Sequence, residues 1–187
     1  MPQPKRADAR RNRDLLLIAA TEAVTECGTD ASLREIARRA GVGIGTLYRH
    51  FPTREVLLEA LLEATFETLR TRADNLLDSP APGSALLGWL EELAAGSVTY
   101  QGLADSIMEA LTNEESGLHA SCTRMNSAGE RLLERAQKAG LIHCDLTIQG
   151  VMAIVLGLAW AAKRSDDASA QVARTLAAAI GLSVDER

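Results

Sequence analysis

Between Ser32 and Phe51 the chain reads SLREIARRAGVGIGTLYRHF, and this stretch constrains the fold more than any other. Ser32 followed three residues later by Glu35 is a capping-box pattern: the hydroxyl accepts from the Glu35 amide and the glutamate side chain reaches back. The helix so opened carries Leu33, Ile36, Ala37 and Ala40 on one side and Arg34, Arg38 and Arg39 outside it, and it stops at Gly41. Glycine can take the positive φ of a sharp corner, and the small Ala37 lets a second helix come close. Ile36, Val42 and Leu47 are spaced to meet beneath that corner. The residues therefore describe two short helices at a tight turn, a helix-turn-helix.

The rest of the chain reads as helix too. With 187 residues, 47% of them hydrophobic, it is long enough to bury a real core. Strand-like alternation and β-branched enrichment are missing, whereas Ala, Leu, Glu and Arg recur throughout, so an all-α protein is expected. A first helix from about Asp8 to Cys27 stops at Gly28, and Pro52 and Thr53 separate the short helices from a long one at 54–77. After the break SPAPGS at 79–84, further helices are expected at 84–100, 102–112, 117–139, 146–164 and 168–182, about nine in all. The longest apolar run, VMAIVLGLAWAA at 151–162, is shorter than the roughly 18 residues of a membrane span. Glu22 follows LLLIAA at once, unlike a signal peptide, so a cytoplasmic protein is expected. Cys27, Cys122 and Cys144 are an odd set without close pairing, which argues against a disulfide scaffold.

Charge is unevenly spread. Residues 1–54 hold ten Lys/Arg and six Asp/Glu, a net +4, and the remainder carries a net −9. A basic head on an acidic body points to a polyanion partner, with Arg10 in the crowded entrance of the first helix and Arg34 outside the second. In the recognition segment Leu47 and Phe51, four apart, face inward, which leaves Thr46, Tyr48, Arg49 and His50 toward the outside. Hydroxyl, phenol, guanidinium and imidazole groups suit phosphate oxygens, and so short a helix can enter a DNA major groove end-on.

Residues 32–62, SLREIARRAGVGIGTLYRHFPTREVLLEALL, resemble the helix-turn-helix signature of the tetracycline-repressor (TetR) family of bacterial transcriptional regulators. With the basic first helix, the resemblance covers about a third of the chain; beyond it only length and helical layout are similar. It implies a three-helix DNA-binding head, residues 1–53, on a larger helical ligand-binding and dimerisation body, residues 54–187. By position, Thr46, Tyr48 and His50 look like backbone contacts, Gly45 allows close approach, and Ile44 and Arg49 are candidates for base contact. Arg54 stands where the family commonly has a lysine that meets phosphate. The family often has Ser or Thr at position 43; Gly43 still serves as an N-cap but lacks the hydroxyl.

In the body, residues 146–164 are apolar on nearly every side, as a helix buried between a core and a subunit interface must be. Val151, Met152, Val155 and Leu158, with Val172, Leu176 and Ile180 of the last helix, are expected in a four-helix homodimer interface. On the helix at 117–139 an apolar stripe including Cys122 and Met125 is bordered by His119 and Asn126, the pattern of a small-molecule cavity. Leu62, Phe66, Leu69, Trp89, Leu93, Tyr100, Ile107 and Met108 are expected to complete it.

Other chemistries find little support. His119 with Cys122 and His143 with Cys144 lie some 20 residues apart, ~30 Å along one helix, too far for one ion. No cofactor is expected. Gly41, Gly43 and Gly45 do not make GxGxxG, and no nucleophile elbow occurs. The expectation is therefore a non-enzymatic homodimeric repressor released from palindromic operator DNA by a small-molecule effector. Two alternatives stay open: a redox sensor using Cys122 or Cys144, and an enzyme or adaptor on a regulator-like scaffold.

Overall fold

The computed structural model describes residues 4–100 and 105–162, with the isolated positions 175, 178 and 181. α1 spans Pro4–Cys27 and leads through a single 3-10 turn, Gly28–Asp30, into α2, Leu33–Arg39, and α3, Ile44–His50. Then follow α4, Arg54–Leu76; α5, Pro82–Thr99; α6, Asp105–Thr112; α7, Gly117–Lys138; and α8, Ile148–Ala162. Among the described residues there is no strand, and the architecture is all-α. The ninth expected helix, with Val172, Leu176 and Ile180, lies outside the described residues. Two helices start earlier than expected, each on a proline, Pro4 and Pro82. Proline at the first helical position loses no hydrogen bond, so a residue that reads as a breaker here begins the helix.

The chain forms two compact units, Met1–Ala64 with Thr99–His119, and Thr65–Val98 with Ala120–Arg187. In the first, α1 buries Leu16, Ala19, Ala20, Ala23 and Val24, a stripe at helical spacing. Ile36 and Ala37 of α2, Leu47 of α3, and Phe51 are buried in the same unit. The corner between α2 and α3 is a Schellman turn: the Val42 amide donates to the Ala37 carbonyl at 3.0 Å and the Gly41 amide to Arg38 at 3.1 Å. Gly41 takes φ 68° there, as its place in the sequence demands.

The capping box does not form. Ser32 is the N-cap of α2 but makes no side-chain cap bond. Glu35 instead accepts from Arg38 at 2.8 and 2.7 Å and from Arg39 at 2.9 Å. Charge-assisted bonds to two guanidinium groups outcompete a bond to one amide. Arg39 continues to Glu26 of α1 at 2.9 and 2.7 Å, so this network ties α1 to α2.

The second unit centres on Trp89 of α5, fully buried, whose Nε1 donates to the Leu69 carbonyl of α4 at 2.9 Å. Across from it stands Gly129 of α7, where a Cβ would lie 2.4 Å from Trp89 Cη2 and force the ring to shift. Around this contact pack Leu86, Leu90 and Leu93 of α5, Met125, Ala128 and Leu132 of α7, and Ile148, Val151 and Val155 of α8. Arg135 of α7 donates to the carbonyls of Leu76 and Ser79 at the end of α4, where the Ser79 amide also donates to Leu76 at 3.1 Å. Asp74 accepts from Arg70 of α4 and from Arg131 of α7.

Val151 and Val155, expected between subunits, are fully buried within the chain itself. An all-round apolar helix does not announce which side its own core takes, and here that side holds Ile148, Val151, Val155 and Ala159. Met152, Ile154 and Leu158 are only partly buried, and Leu156 is 45% exposed, so among the described residues these keep apolar area outside that core.

Candidate nucleic-acid interface

α3 owes its orientation to two inward anchors. Leu47 is wholly buried and Phe51 is 1% exposed, and the Phe51 amide closes the helix on the Leu47 carbonyl at 2.8 Å. Gly43, extended at φ −69° and ψ 148°, begins the helix by lending its carbonyl to the amides of Thr46 and Leu47 at 2.8 and 3.2 Å. With Leu47 inward, the 3.6-residue repeat turns Gly45, Tyr48 and Arg49 outward, while Ile44, one turn before Leu47, is exposed as the first residue of the helix. Tyr48 is 48% exposed and Ile44 37%, while Thr46 and His50 are half-buried at the margins. Sites at Gly43 and Gly45 are open, since a Cβ at either would meet nothing within 4 Å.

The arginines of this unit are held in different ways. Arg38 and Arg39 are held by Glu35 and Glu26. Glu35's carboxyl is pulled down to about 2 by its hydrogen bonds to Arg38 and then Arg39, so it is ionised at any ordinary pH. Arg10, Arg34 and Arg49 are exposed on α1, α2 and α3. Arg13 of α1 stands with its guanidinium carbon 5.5 Å from the Phe51 ring centroid, a cation–π contact at the end of α3. Arg54 points inward: its Nη1 donates to the carbonyls of Thr29 at 2.9 Å and Ala31 at 2.6 Å.

Of the twelve residues expected around a small molecule, seven fall in the second unit. Leu69, Trp89, Leu93 and Met125 belong to its buried core, Phe66 and Cys122 pack against it, and Asn126 lies one turn beyond Cys122 on α7. Asn126 Nδ2 donates to Cys122 Sγ at 3.8 Å, and its Oδ1 is buried with no hydrogen-bond partner among the described residues. Burial pushes the Cys122 thiol up from its ordinary value, opposed by the Asn126 bond, so it stays protonated at neutral pH. Leu62, Tyr100, Ile107, Met108 and His119 lie in the first unit, where Met108 is exposed and the other four are buried or half-buried. His119 Nδ1 lies 2.8 Å from the Leu111 carbonyl, which can only accept, so that nitrogen carries the proton. Ser116, unremarked in the sequence, starts α7 by accepting from the amides of Leu118 and His119.

Two short helices locked at a glycine corner, with an exposed phenol and guanidinium on the outer face of the second, define a helix-turn-helix DNA-binding protein. Comparison with known proteins gives the family. Residues 16–61 match the family described as bacterial regulatory proteins, tetR family, and residues 81–183 match the transcriptional regulator SbtR-like C-terminal domain. A TetR transcriptional regulator from Streptomyces coelicolor shares 34% identity with a TM-score of 0.72, over 93% of this chain and 99% of that one. The chain belongs to the TetR family of bacterial transcriptional regulators. The HTH-type transcriptional regulator BetI of Escherichia coli is 33% identical over 111 residues, 59% of this chain and 55% of BetI. An HTH-type transcriptional regulator of Staphylococcus aureus is 34% identical over 76 residues, 39% of each chain. The chain thus matches no more than about half the length of these two curated relatives. The carboxyl-terminal match was out of reach of motif reading, because that part has an apolar pattern and a length but no short signature. No helix among the described residues is long and apolar enough to cross a membrane.

Proposed function

We propose that the chain is a homodimeric, non-enzymatic repressor of the cytoplasm that binds a palindromic operator through α3 and lets go when a small molecule enters its body. The head of residues 1–53 reads the DNA and the body of residues 54–187 dimerises and senses. The observation that carries this reading is the outer face of α3, where Tyr48, Arg49 and Ile44 stand exposed around an open Gly45. Arg49 and Ile44 meet base edges, while Thr46, Tyr48 and His50 hold the phosphate backbone and the exposed Arg10 and Arg34 add positive charge.

The dimer forms through the apolar area left on α8 at Met152, Leu156 and Leu158, with Val172, Leu176 and Ile180 of the following segment. Asn126 Oδ1 supports an effector site among Phe66, Leu69, Trp89, Leu93, Cys122 and Met125, because a buried acceptor without a donor among the described residues is one that a donor on a ligand can complete. The raised thiol of Cys122 speaks against a redox sensor there, since a protonated thiol is a poor nucleophile.

Selection from a random pool of DNA duplexes with the purified chain tests the reading. Enrichment of an inverted repeat with half-sites about one helical turn, ~34–36 Å, apart is expected. Recovery of no common sequence would contradict it.

A further inference from the structure

Arg54 is the first residue of α4, and its side chain turns back toward the connection between α1 and α2. There Thr29 belongs to the one-turn 3-10 helix and Ala31 follows it, buried. Both carbonyls point from the end of a helical turn, where partial negative charge collects and amide donors run out. One guanidinium nitrogen answers both, at 2.9 and 2.6 Å, and the side chain is half-buried in doing so. Only Pro52 and Thr53 separate Arg54 from Phe51, which ends α3 and sits in the core shared with α1 and α2. The clamp therefore fixes where the chain leaves the recognition helix relative to the two helices that support it.

We infer that Arg54 is a positioning residue for DNA binding and not a phosphate contact: it holds the start of α4 on the α1–α2 connection and so sets the presentation of α3. This rests on the DNA-binding reading given above. The two roles differ in a measurable way. A side chain that neutralises a phosphate releases a counterion, and its loss lowers the slope of log affinity against log salt by about 0.9, whereas a positioning residue weakens binding at an unchanged slope.

The test uses the full chain, its Arg54→Gln and Arg54→Lys variants, and a duplex that the wild type retains from a random pool. The Gln variant is expected to bind on the order of tenfold more weakly with the wild-type salt slope. Hydrogen exchange at residues 28–33 of the free protein should quicken in the same variant. The Lys variant keeps the charge but lacks the planar fork, so it should share both defects in milder form and serves if the Gln variant does not fold. A slope reduced by about one in the Gln variant, with exchange at 28–33 unchanged and full recovery of affinity in the Lys variant, would overturn the inference. Were the wild type to retain no duplex at all, the DNA-binding reading would fail, while the exchange measurement would still decide whether the clamp exists.

Discussion

Gly45 sits in the first turn of α3 over open space, so nothing among the described residues requires a glycine there. Replacing it with alanine removes backbone freedom from the unfolded chain and should stabilise the fold by a few tenths to about 1 kcal/mol. If the gap exists for the DNA backbone, the same Gly45→Ala change should weaken duplex binding; opposite movement of the urea midpoint and the affinity is the expected pair. Gly129 presents the reverse case. Its missing Cβ is filled by the Trp89 ring at 2.4 Å, so Gly129→Ala must displace that ring and should cost about 1–3 kcal/mol in urea unfolding. The two glycines look alike in the sequence. What separates them is the neighbour across the space, and that neighbour comes from another helix.

Among elements, the pair α2 and α3 was the most legible, because each of its constraints is local. The positive φ of Gly41, the smallness of Ala37 and the four-residue spacing of Leu47 and Phe51 can all be read without knowing what lies beyond. Local reading failed where two local options competed. Glu35 could cap α2 or pair with Arg38 and Arg39, and the charged partners won. This choice has a pH signature. Glu35 titrates at about 2 in the fold against an ordinary 4.5, so its ion pairs contribute fully above the ordinary value and are lost as pH falls toward 2. In unfolding measurements across that window, wild type and Glu35→Gln should differ most at the upper end and converge toward pH 2. Arg54 escaped local reading for the same reason as Gly129: its carbonyl partners lie 25 and 23 residues away.

For the whole molecule, α8 shows what an apolar pattern leaves undecided. Its hydrophobicity promised burial on all sides, but Val151 and Val155 are consumed by the chain's own core, and among the described residues Met152, Ile154, Leu156 and Leu158 keep apolar area outside it. A dimer at micromolar concentration is expected in sedimentation, and Met152→Asp with Leu156→Asp should yield a folded monomer; an unaltered dimer would place the interface elsewhere. The central claim, that the outer face of α3 reads DNA, is tested most directly by titrating a selected duplex and a random one with wild type and the Tyr48→Phe, Arg49→Ala double variant. The account predicts affinity lower by roughly 10- to 100-fold, with the larger loss on the selected duplex than on a random one, as removal of a base-reading guanidinium and a phosphate-facing hydroxyl requires. Affinity for both duplexes equal to that of the wild type would contradict it.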